Sequence, residues 1–249
     1  MQFSIHHFDE IDSTMNVVRD NLVNNPAKSH GYVVQADCQT GGRGRYGRQW
    51  ISPIGNLYFS LCLTPEVNLT KASELSFVIC LAIGESLQEI LPKKTKMLYK
   101  WPNDVLIDDL KICGILLEAN TNLKNELQGI IIGIGLNCLY FPESGTVVPA
   151  TSLIDRGVSA ADADRQKILD RILQKISFFY EYWLKNGFQH IRELWLERAK
   201  GLNEPIKIRL EQKELIGIFR DLDAQGALIV ETENETIKVT AGDVYFKSV

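Results

Sequence analysis

The stretch that decides the fold is Leu127-Gln-Gly-Ile-Ile-Ile-Gly-Ile-Gly-Leu136, in which Gln128 is the only polar side chain. A strand with one face in water alternates apolar and polar residues, whereas a nearly continuous apolar run is typical of a strand covered on both faces. The run therefore predicts a central, doubly buried strand over residues 127–136.

Segments on either side of this run supply the rest of an α/β domain. Strands are predicted over 31–37, 56–63, 96–100, 105–107 and 111–118. The last two form a hairpin that turns at Asp108-Asp109. Helices are predicted over 14–24, 72–91, 160–183 and 188–200, the first of them after the N-cap pair Asp12-Ser13.

The pattern changes after Glu204-Pro205. Short alternating strands follow at 206–210, 215–219, 227–230, 236–239 and 244–246, with turn residues at 223–226 and 241–243. This pattern is typical of a small all-β barrel of about five strands. We place a domain boundary near residue 202, which predicts domains of 1–202 and 203–249.

The composition is that of an ordinary soluble globular protein, with 45% hydrophobic residues, 23% charged residues and a formal net charge of −4. No apolar run reaches the length of about 18 residues that predicts a membrane span. The N-terminus lacks the basic and apolar segments of a signal peptide. The five cysteines are odd in number and none forms a Cys-x-x-Cys pair, so we expect free thiols, no zinc site and a cytoplasmic location.

A glycine- and arginine-rich segment, Gln39-Thr-Gly-Gly-Arg-Gly-Arg-Tyr-Gly-Arg-Gln-Trp50, carries the first functional signal. Between Cys38 and Pro65 its arginines are the only fully charged residues. Glycine at this density excludes a regular helix or strand and predicts a mobile loop. Arginine matches phosphate and carboxylate oxygens, so the segment suits a lid over a bound anion. A solvated turn is the alternative, and the acidic net charge disfavours non-specific nucleic-acid binding.

A second cluster, Lys100-Trp-Pro-Asn-Asp104, places an ammonium, an amide and a carboxylate around a turn. These groups suit phosphate, metal or carbonyl binding, although the segment by itself favours an Asx turn at the start of a hairpin. Lys111 begins the next strand, and Gly114 within it indicates close approach by a ligand or by another backbone. The four histidines lie far along the chain from these motifs, which disfavours Ser-His-Asp and Cys-His mechanisms.

Glycines also mark the end of the central strand. Gly133 and Gly135 lie on one face because side chains alternate along a strand. That face leaves room for a flat ligand or for tight packing of another element. Asn137 follows, and its amide oxygen is a suitable ligand for magnesium or for a hydroxyl group.

Taken in order, these motifs resemble those of the biotin protein ligases. The resemblance rests on Asp12-Ser-Thr14, on the 42–48 loop, on Lys100–Asp104, on the 111–118 strand and on 133–137. It covers the chain end to end, with a departure at Met15, where the family often has asparagine. It implies an α/β (α+β) catalytic domain with a mixed central sheet flanked by helices, followed by a small C-terminal all-β SH3-like barrel.

The family's reaction has two steps. The carboxylate of biotin attacks the α-phosphate of ATP to give biotinyl-5′-AMP and pyrophosphate, and a lysine of a carrier protein then attacks the mixed anhydride. Cations and Mg²⁺ are needed because two anions must meet, and a closing loop shields the adenylate from water. The resemblance thus implies biotin, ATP and Mg²⁺ as ligands, a biotin carboxyl carrier domain of a biotin-dependent carboxylase as the partner, and a monomer or homodimer.

The resemblance also implies roles for individual residues. Biotin contacts are expected from Ser13, Thr14, Gln39, Gly42, Arg43, Arg45, Trp50, Lys111, Gly114 and Gly133. Contacts to ATP or the adenylate are expected from Arg43, Arg45, Arg48, Trp50, Asn103, Lys111 and Asn137. The expected catalytic residues are Lys111, which bridges the two reacting anions, Arg45, which holds the phosphate, and Asp104, which orients or deprotonates the acceptor lysine. Asn137 and Asp104 are the candidate magnesium ligands.

Two other interpretations stay open at this point. A lipoate–protein ligase shares the adenylate chemistry but is not expected to carry the Gly-Arg-Gly-Arg loop. A nucleotide- or nucleic-acid-binding module would use the loop and the barrel without turnover. Because the first motif already begins at Asp12, no room precedes it for the helix-turn-helix that some family members carry, and no specific DNA binding is expected.

Overall fold

A computed structural model describes residues 1–143, 148–210 and 214–246 of the chain. Its larger part is built on a seven-stranded sheet with the order β1-β2-β3-β7-β6-β5-β4. The strands are β1 (Ser4–Ile11), β2 (Tyr32–Gln39), β3 (Leu57–Leu63), β4 (Met97–Lys100), β5 (Asp104–Ile107), β6 (Leu110–Thr121) and β7 (Leu127–Leu136). The pair β1–β2 is parallel and the other described pairs are antiparallel, so the sheet is mixed, as predicted.

The strand β7 lies at the centre of this sheet, between β3 and β6. Every residue from Gly129 to its end is buried, which confirms the expectation for an almost uninterrupted apolar run. Its neighbour β6 forms the predicted hairpin with β5, and the turn residues Asp108 and Asp109 both have positive φ. Aspartate tolerates that conformation better than most side chains do, which is why this pair is suited to a tight turn.

Helices cover both faces of the sheet. On one face, α1 (Thr14–Asn24) packs against β2, β3 and β7. The other face holds the main hydrophobic core and the remaining helices, which are α2 (Leu69–Ala72), α3 (Leu75–Gln88), α4 (Arg165–Asn186) and α5 (Gln189–Leu196). This two-sided cover explains why β7 has no polar face.

Three elements differ from the sequence prediction. The edge strand β1 was not predicted, because its sequence Ser-Ile-His-His-Phe-Asp-Glu-Ile is mostly exposed and shows no clear alternation. The helix predicted over 72–91 is shorter and corresponds to α3, while the separate short helix α2 precedes it and shares only Ala72 with the predicted range. The helix α4 begins only at Arg165, where the Asp164 side chain caps its first turn by accepting a hydrogen bond of 2.9 Å from the Lys167 N–H.

The C-terminal part is a five-stranded antiparallel sheet with the order β11-β10-β9-β8-β12, as predicted for the small barrel. Its strands are β8 (Pro205–Arg209), β9 (Glu214–Leu222), β10 (Leu228–Glu231), β11 (Thr236–Val239) and β12 (Asp243–Phe246). Residues 211–213 and 247–249 of the predicted second domain lie outside the described residues. The buried Trp101 indole joins the two parts by donating a 3.0 Å hydrogen bond to the Gly226 carbonyl.

All five cysteines carry free thiols, as expected from their number and spacing. Four of them are buried, and burial raises the pKa of Cys62, for example, to about 12. In the described parts of the chain, none of the helices combines the length and the apolar character that crossing a membrane requires.

The burial of β7 predicts a large stability difference between two isoleucines of the same sheet. Ile132 is fully buried, so Ile132→Ala should lower the free energy of unfolding by about 2–5 kcal/mol through lost burial and a residual cavity. Ile5, on the edge strand, is 42% exposed, and Ile5→Ala should cost less than about 1 kcal/mol. Urea unfolding followed by circular dichroism measures both values, and equal losses would contradict the central placement of β7.

Candidate active site

A cavity of about 410 Å³ opens beside the glycine-rich ends of β6 and β7. It brings together residues from the first helix, the arginine loop, the central strands and the C-terminal sheet. The predicted site residues that line it are Ser13, Thr14, Gln39, Arg43, Arg45, Arg48, Trp50, Asn103, Asp104, Lys111, Gly114, Gly133 and Asn137. Its size and its mixed lining are typical of a small-molecule site.

Glycines form the floor of the cavity. Gly114 on β6 lies directly opposite Gly135 on β7, so two neighbouring positions carry no side chain. The Trp50 indole occupies the space above both, and a Cβ atom added at Gly114 would come within 2.8 Å of it. Gly133 lies beneath Met15, whose sulfur would be 2.6 Å from an added Cβ. The glycines therefore admit close packing by Trp50 and Met15 in this structure.

The Trp50 indole nitrogen is buried and has no hydrogen-bond partner among the described residues. Buried donors in proteins are nearly always paired, so an unpaired one inside a cavity suits an acceptor on a bound ligand. The Lys111 ammonium lies 5.3 Å from the centre of the Trp50 ring, within the range of a cation–π contact. Trp50 thus covers the glycine floor, and its unpaired indole N–H lies over Gly135.

The start of α1 forms a polar corner of the cavity. The side-chain oxygen of Gln39 accepts hydrogen bonds from the Thr14 backbone N–H at 2.9 Å and from the Thr14 hydroxyl at 3.1 Å. The Thr14 hydroxyl also lies 2.7 Å from the Ser60 hydroxyl, and the Gln39 amide donates to Ser52 at 3.1 Å. Ser13 occupies the N-cap position without a side-chain capping bond. Its hydroxyl and the Gln39 amide edge are therefore the groups that this corner offers to a ligand.

The arginine loop contains no helix or strand apart from a single 3-10 turn at Arg45–Gly47. Arg43 donates to the Asn16 side-chain oxygen at 2.8 Å and lies 4.0 Å from Glu118. Arg45 donates to the Gly242 carbonyl at 3.1 Å. The structure thus ties the loop at both ends of the cavity instead of leaving its arginines in solvent.

One carboxylate of the C-terminal sheet holds two of the loop arginines. Asp243, at the start of β12, forms an ion pair with Arg48 and lies 3.7 Å from Arg45. Its side chain is mostly buried and lines the cavity. The anion that the arginines contact in this structure is therefore the protein's own.

Gly42 is the one predicted site residue that does not line the cavity. Its backbone is hydrogen-bonded within the loop, where the Gly42 carbonyl accepts a 2.9 Å hydrogen bond from the backbone N–H of Trp50. An added Cβ would overlap the Trp50 carbonyl oxygen and would lie 2.6 Å from the Ser52 hydroxyl. The absence of a side chain at Gly42 thus allows the loop to fold back and places Trp50 over the floor.

A buried carboxylate between two lysines forms the cationic end of the cavity. The Lys111 ammonium lies 2.6 Å from one oxygen of Asp104, and the Lys100 ammonium lies 3.9 Å from the other. Burial alone would raise the pKa of Asp104, but the charges of Lys111 and Lys100 outweigh it and hold this pKa below its usual value. Asp104 is therefore an ionised carboxylate at neutral pH. Beside it, the Asn103 amide donates to the Ile115 carbonyl.

Asn137 extends the site at the end of β7. Its amide donates to the Thr151 carbonyl at 3.0 Å, and its backbone N–H donates to Ile112 at 2.9 Å. The described residues supply no hydrogen-bond donor to its side-chain oxygen, which makes that oxygen available as a ligand. Across residues 1–143, 148–210 and 214–246, no three His, Cys, Asp or Glu side chains come together as a metal cluster.

Some cavity residues had no predicted role. Asp243 lies about two hundred residues beyond the loop, and no local pattern links the two segments. Met15 was noted only as a departure from the family pattern. Lys100 belongs to the Lys100–Asp104 motif, which places it across one turn from Asp104 and could have indicated a role. The depth of its burial was not predictable from the sequence.

Comparison with known proteins agrees with this geometry. Residues 7–137 match the biotin/lipoate A/B protein ligase family, and residues 201–247 match the biotin protein ligase C-terminal domain. A biotin–[acetyl-CoA-carboxylase] ligase of Paracoccus denitrificans is 35% identical over 223 residues, which cover 89% of this chain and 92% of that protein. A bifunctional ligase/repressor of Bacillus subtilis is 32% identical over 98% of this chain and 74% of its own length. The solved structure of a biotin protein ligase from Aquifex aeolicus in complex with biotin and ATP superposes with a TM-score of 0.80, at 29% identity and with 97% of each chain covered.

The contacts of Asp243 predict how tightly the arginine loop is held. Asp243→Asn removes the charge that pairs with Arg45 and Arg48, so the loop should open more often. Two partly exposed ion pairs are worth about 1 kcal/mol together, so trypsin cleavage after these arginines should become roughly fivefold faster. Mass spectrometry of timed digests measures the rate. The control is Glu214→Gln, an exposed ion pair with Lys207 in the same sheet, and equal effects of the two variants would contradict the prediction.

Proposed function

This chain belongs to the biotin protein ligase family, and we propose that it activates biotin as biotinyl-5′-AMP and transfers the biotinyl group to a lysine of a biotin carboxyl carrier domain. The observation that carries the proposal is the shared cavity, in which an apolar, glycine-floored end adjoins the Lys111–Asp104 pair and the arginine loop. Adenylation requires such a site, because an apolar acid must be held against a polyphosphate. The names of the Paracoccus and Aquifex relatives support this assignment of substrates.

We assign the apolar end to biotin. Trp50 and Met15 cover the glycine floor in this structure, so the assignment of biotin to this end, with backbone contacts from Gly114 and Gly133, requires both side chains to move aside and pack against the fused rings and the aliphatic tail. The polar corner at Ser13, Thr14 and Gln39 suits the ureido group, which presents one acceptor and two donors in a plane. The indole N–H of Trp50, which is buried over Gly135 without a partner among the described residues, becomes a further donor for a ligand oxygen when the ring moves aside.

We assign the cationic end to the nucleotide. Arg43, Arg45 and Arg48 carry the planar guanidinium groups that match phosphate oxygens, and Asn103 lies beside them at the turn. Lys111 is the residue best placed to touch both reacting anions, because it is the second residue of β6 and lies at the junction of the two ends. In the first step its charge offsets the repulsion between the biotin carboxylate and the α-phosphate, and it stabilises negative charge as the new bond forms.

In the second step the acceptor lysine must lose a proton as it attacks the anhydride. Asp104 is ionised and lies at the cavity wall within reach of Lys111, so we assign it as the group that orients the acceptor amine and takes its proton. The bond that breaks joins the biotinyl carbonyl to the phosphate oxygen, and AMP leaves with that oxygen.

Magnesium fits this cavity only together with the nucleotide. The Asp104 carboxylate is already paired with two ammonium groups, which disfavours a metal ion there. The free side-chain oxygen of Asn137 is a suitable ligand, and Mg²⁺ usually binds through one or two protein groups, water and substrate phosphates. We therefore assign Asn137 as a protein ligand for Mg²⁺ held with the triphosphate, where the ion neutralises phosphate charge.

We also propose a domain boundary at residue 202, between α5 and β8, a position supported by the C-terminal match over 201–247. A cytoplasmic location is proposed from the five free thiols.

Biotin-dependent exchange of pyrophosphate into ATP tests the proposal directly. Exchange with biotin and Mg²⁺ should be rapid, and exchange with lipoate in place of biotin should be at background. Exchange with lipoate but not with biotin would show that lipoate is the substrate. Exchange with neither acid would contradict the proposal that the protein forms an adenylate.

Removal of the bridging cation should affect the first step strongly. Lys111→Ala leaves the converging anions uncompensated and should slow pyrophosphate exchange by more than about 100-fold. Lys124→Ala, at the exposed hairpin between β6 and β7, is the matched control and should retain the exchange rate. Near-normal exchange by the Lys111 variant would contradict the assignment.

Removal of one loop arginine should affect retention of the intermediate. Arg45→Gly deletes a phosphate contact and the tie to the C-terminal sheet, so biotinyl-5′-AMP should escape and label lysines of unrelated proteins. A streptavidin blot of a lysate incubated with the variant should show many bands. Arg209→Gly, an exposed arginine of β8, is the control, and an unchanged band pattern for Arg45→Gly would refute the prediction.

A further inference from the structure

Lys100 is a buried cation to which the two-step scheme assigns no role. Its side chain is 5% exposed, and its only ion-pair partner among the described residues is the Asp104 carboxylate at 3.9 Å. The two residues face each other across the β4–β5 pair, directly in register. Lys100 also lines the same cavity as Lys111. A buried ammonium is rarely retained without a partner or a task, because its desolvation is costly.

The Asp104 carboxylate is shared between two lysines in unequal ways. Lys111 makes a close ion pair with one oxygen at 2.6 Å, whereas Lys100 lies 3.9 Å from the opposite oxygen. In the proposed function Lys111 contacts the reacting anions, so its ammonium must turn away from Asp104 when substrate is bound. The carboxylate would then be a buried charge without its closest partner, which is unfavourable unless another cation remains.

We propose that Lys100 is a positioning residue for the transfer step, which holds the Asp104 carboxylate ionised and in place once Lys111 has turned towards the reacting anion. This inference rests on the proposed function. Lys111 then contacts the phosphate, and Lys100 remains the counter-ion of the Asp104 carboxylate. The motif Lys-Trp-Pro-Asn-Asp then places the base and its counter-ion on the two sides of one turn.

The charges around Lys100 agree with this role. Burial lowers the pKa of Lys100, and the charge of Asp104 opposes that shift and favours the ammonium form. Lys111 and Arg45 act with burial, and Asp243 acts with Asp104. When Lys111 turns towards an anion, its repulsion of Lys100 is partly cancelled, so the ammonium form of Lys100 is favoured at the moment when Asp104 needs it.

Separate measurement of the two steps tests the proposal. Lys100→Met removes the charge and keeps the length of the side chain, and Lys100→Arg keeps the charge. In Lys100→Met the single-turnover transfer from purified biotinyl-5′-AMP to a carrier domain should fall by roughly 30-fold, part of the 10²–10⁴-fold that a positioned base supplies. Pyrophosphate exchange should fall much less, and Lys100→Arg should recover most of the transfer. Lys94→Met, at an exposed lysine before β4, is the matched control.

The pH profile of transfer distinguishes positioning of the base from general damage. Transfer requires ionised Asp104, so its rate rises with pH through the pKa of that group. Removal of a nearby cation raises the pKa of a carboxyl, so the acidic limb in Lys100→Met should move to higher pH. An unchanged limb, or an equal loss in both steps, would overturn the proposal.

A measurement without substrates separates this inference from the proposed function. Lys111→Met mimics the state in which Lys111 has left Asp104. Carbon-13 NMR titration of the Asp104 carboxyl should show an ionised group at neutral pH in Lys111→Met and a raised pKa in the double variant Lys111→Met/Lys100→Met. Equal pKa values in the two proteins would overturn the role of Lys100 even if the enzyme ligates biotin. The expected difference would support that role even if the wild-type protein failed the exchange assay.

Discussion

The structure depends on how the two faces of the central strand β7 are covered. The strand β7 must be covered on both faces because it carries almost no polar side chains, yet three of its positions on one face, Gly129, Gly133 and Gly135, are glycines. The helix α1 covers that face only in part, and Trp50 from a distant loop fills the space above Gly114 and Gly135. The cavity therefore lies where an apolar sheet lacks side chains of its own. The floor of this site is the backbone of the central sheet, whereas its cover is the side chain of a loop residue, Trp50.

Local sequence patterns predicted the parts of the molecule that obey short-range rules. The central strand, the hairpin at Asp108 and Asp109 and the five short C-terminal strands each follow from composition or turn chemistry over a few residues. The resemblance to the biotin protein ligases predicted that the motifs form one site, and most of the predicted site residues do line one cavity. The strand β1 was missed because an exposed edge imposes no pattern. The tie between Asp243 and the arginine loop depends on the docking of two domains, which no segment of either one encodes by itself.

In a chain with a formal net charge of −4, the cations of the cavity are held by acidic and amide side chains. Arg43 rests on Asn16 and Glu118, the other loop arginines rest on Asp243, and the two lysines rest on Asp104. Each cation is fixed by an acid or amide from a different part of the fold. An anion that binds Lys111, Arg45 or Arg48 must therefore replace a protein carboxylate that the cation contacts in this structure.

The pairing of Arg45 and Arg48 with Asp243 gives the cavity an internal competitor. Any external anion that seeks these arginines must first displace a tethered carboxylate, whose effective concentration is high because it belongs to the same molecule. A small anion such as orthophosphate gains little from that exchange, since one set of contacts merely replaces another. A ligand with several groups that contact the cavity is better able to offset the loss of the Asp243 pairs. The C-terminal sheet thus imposes a cost on anion binding that a larger ligand meets more easily than a small one.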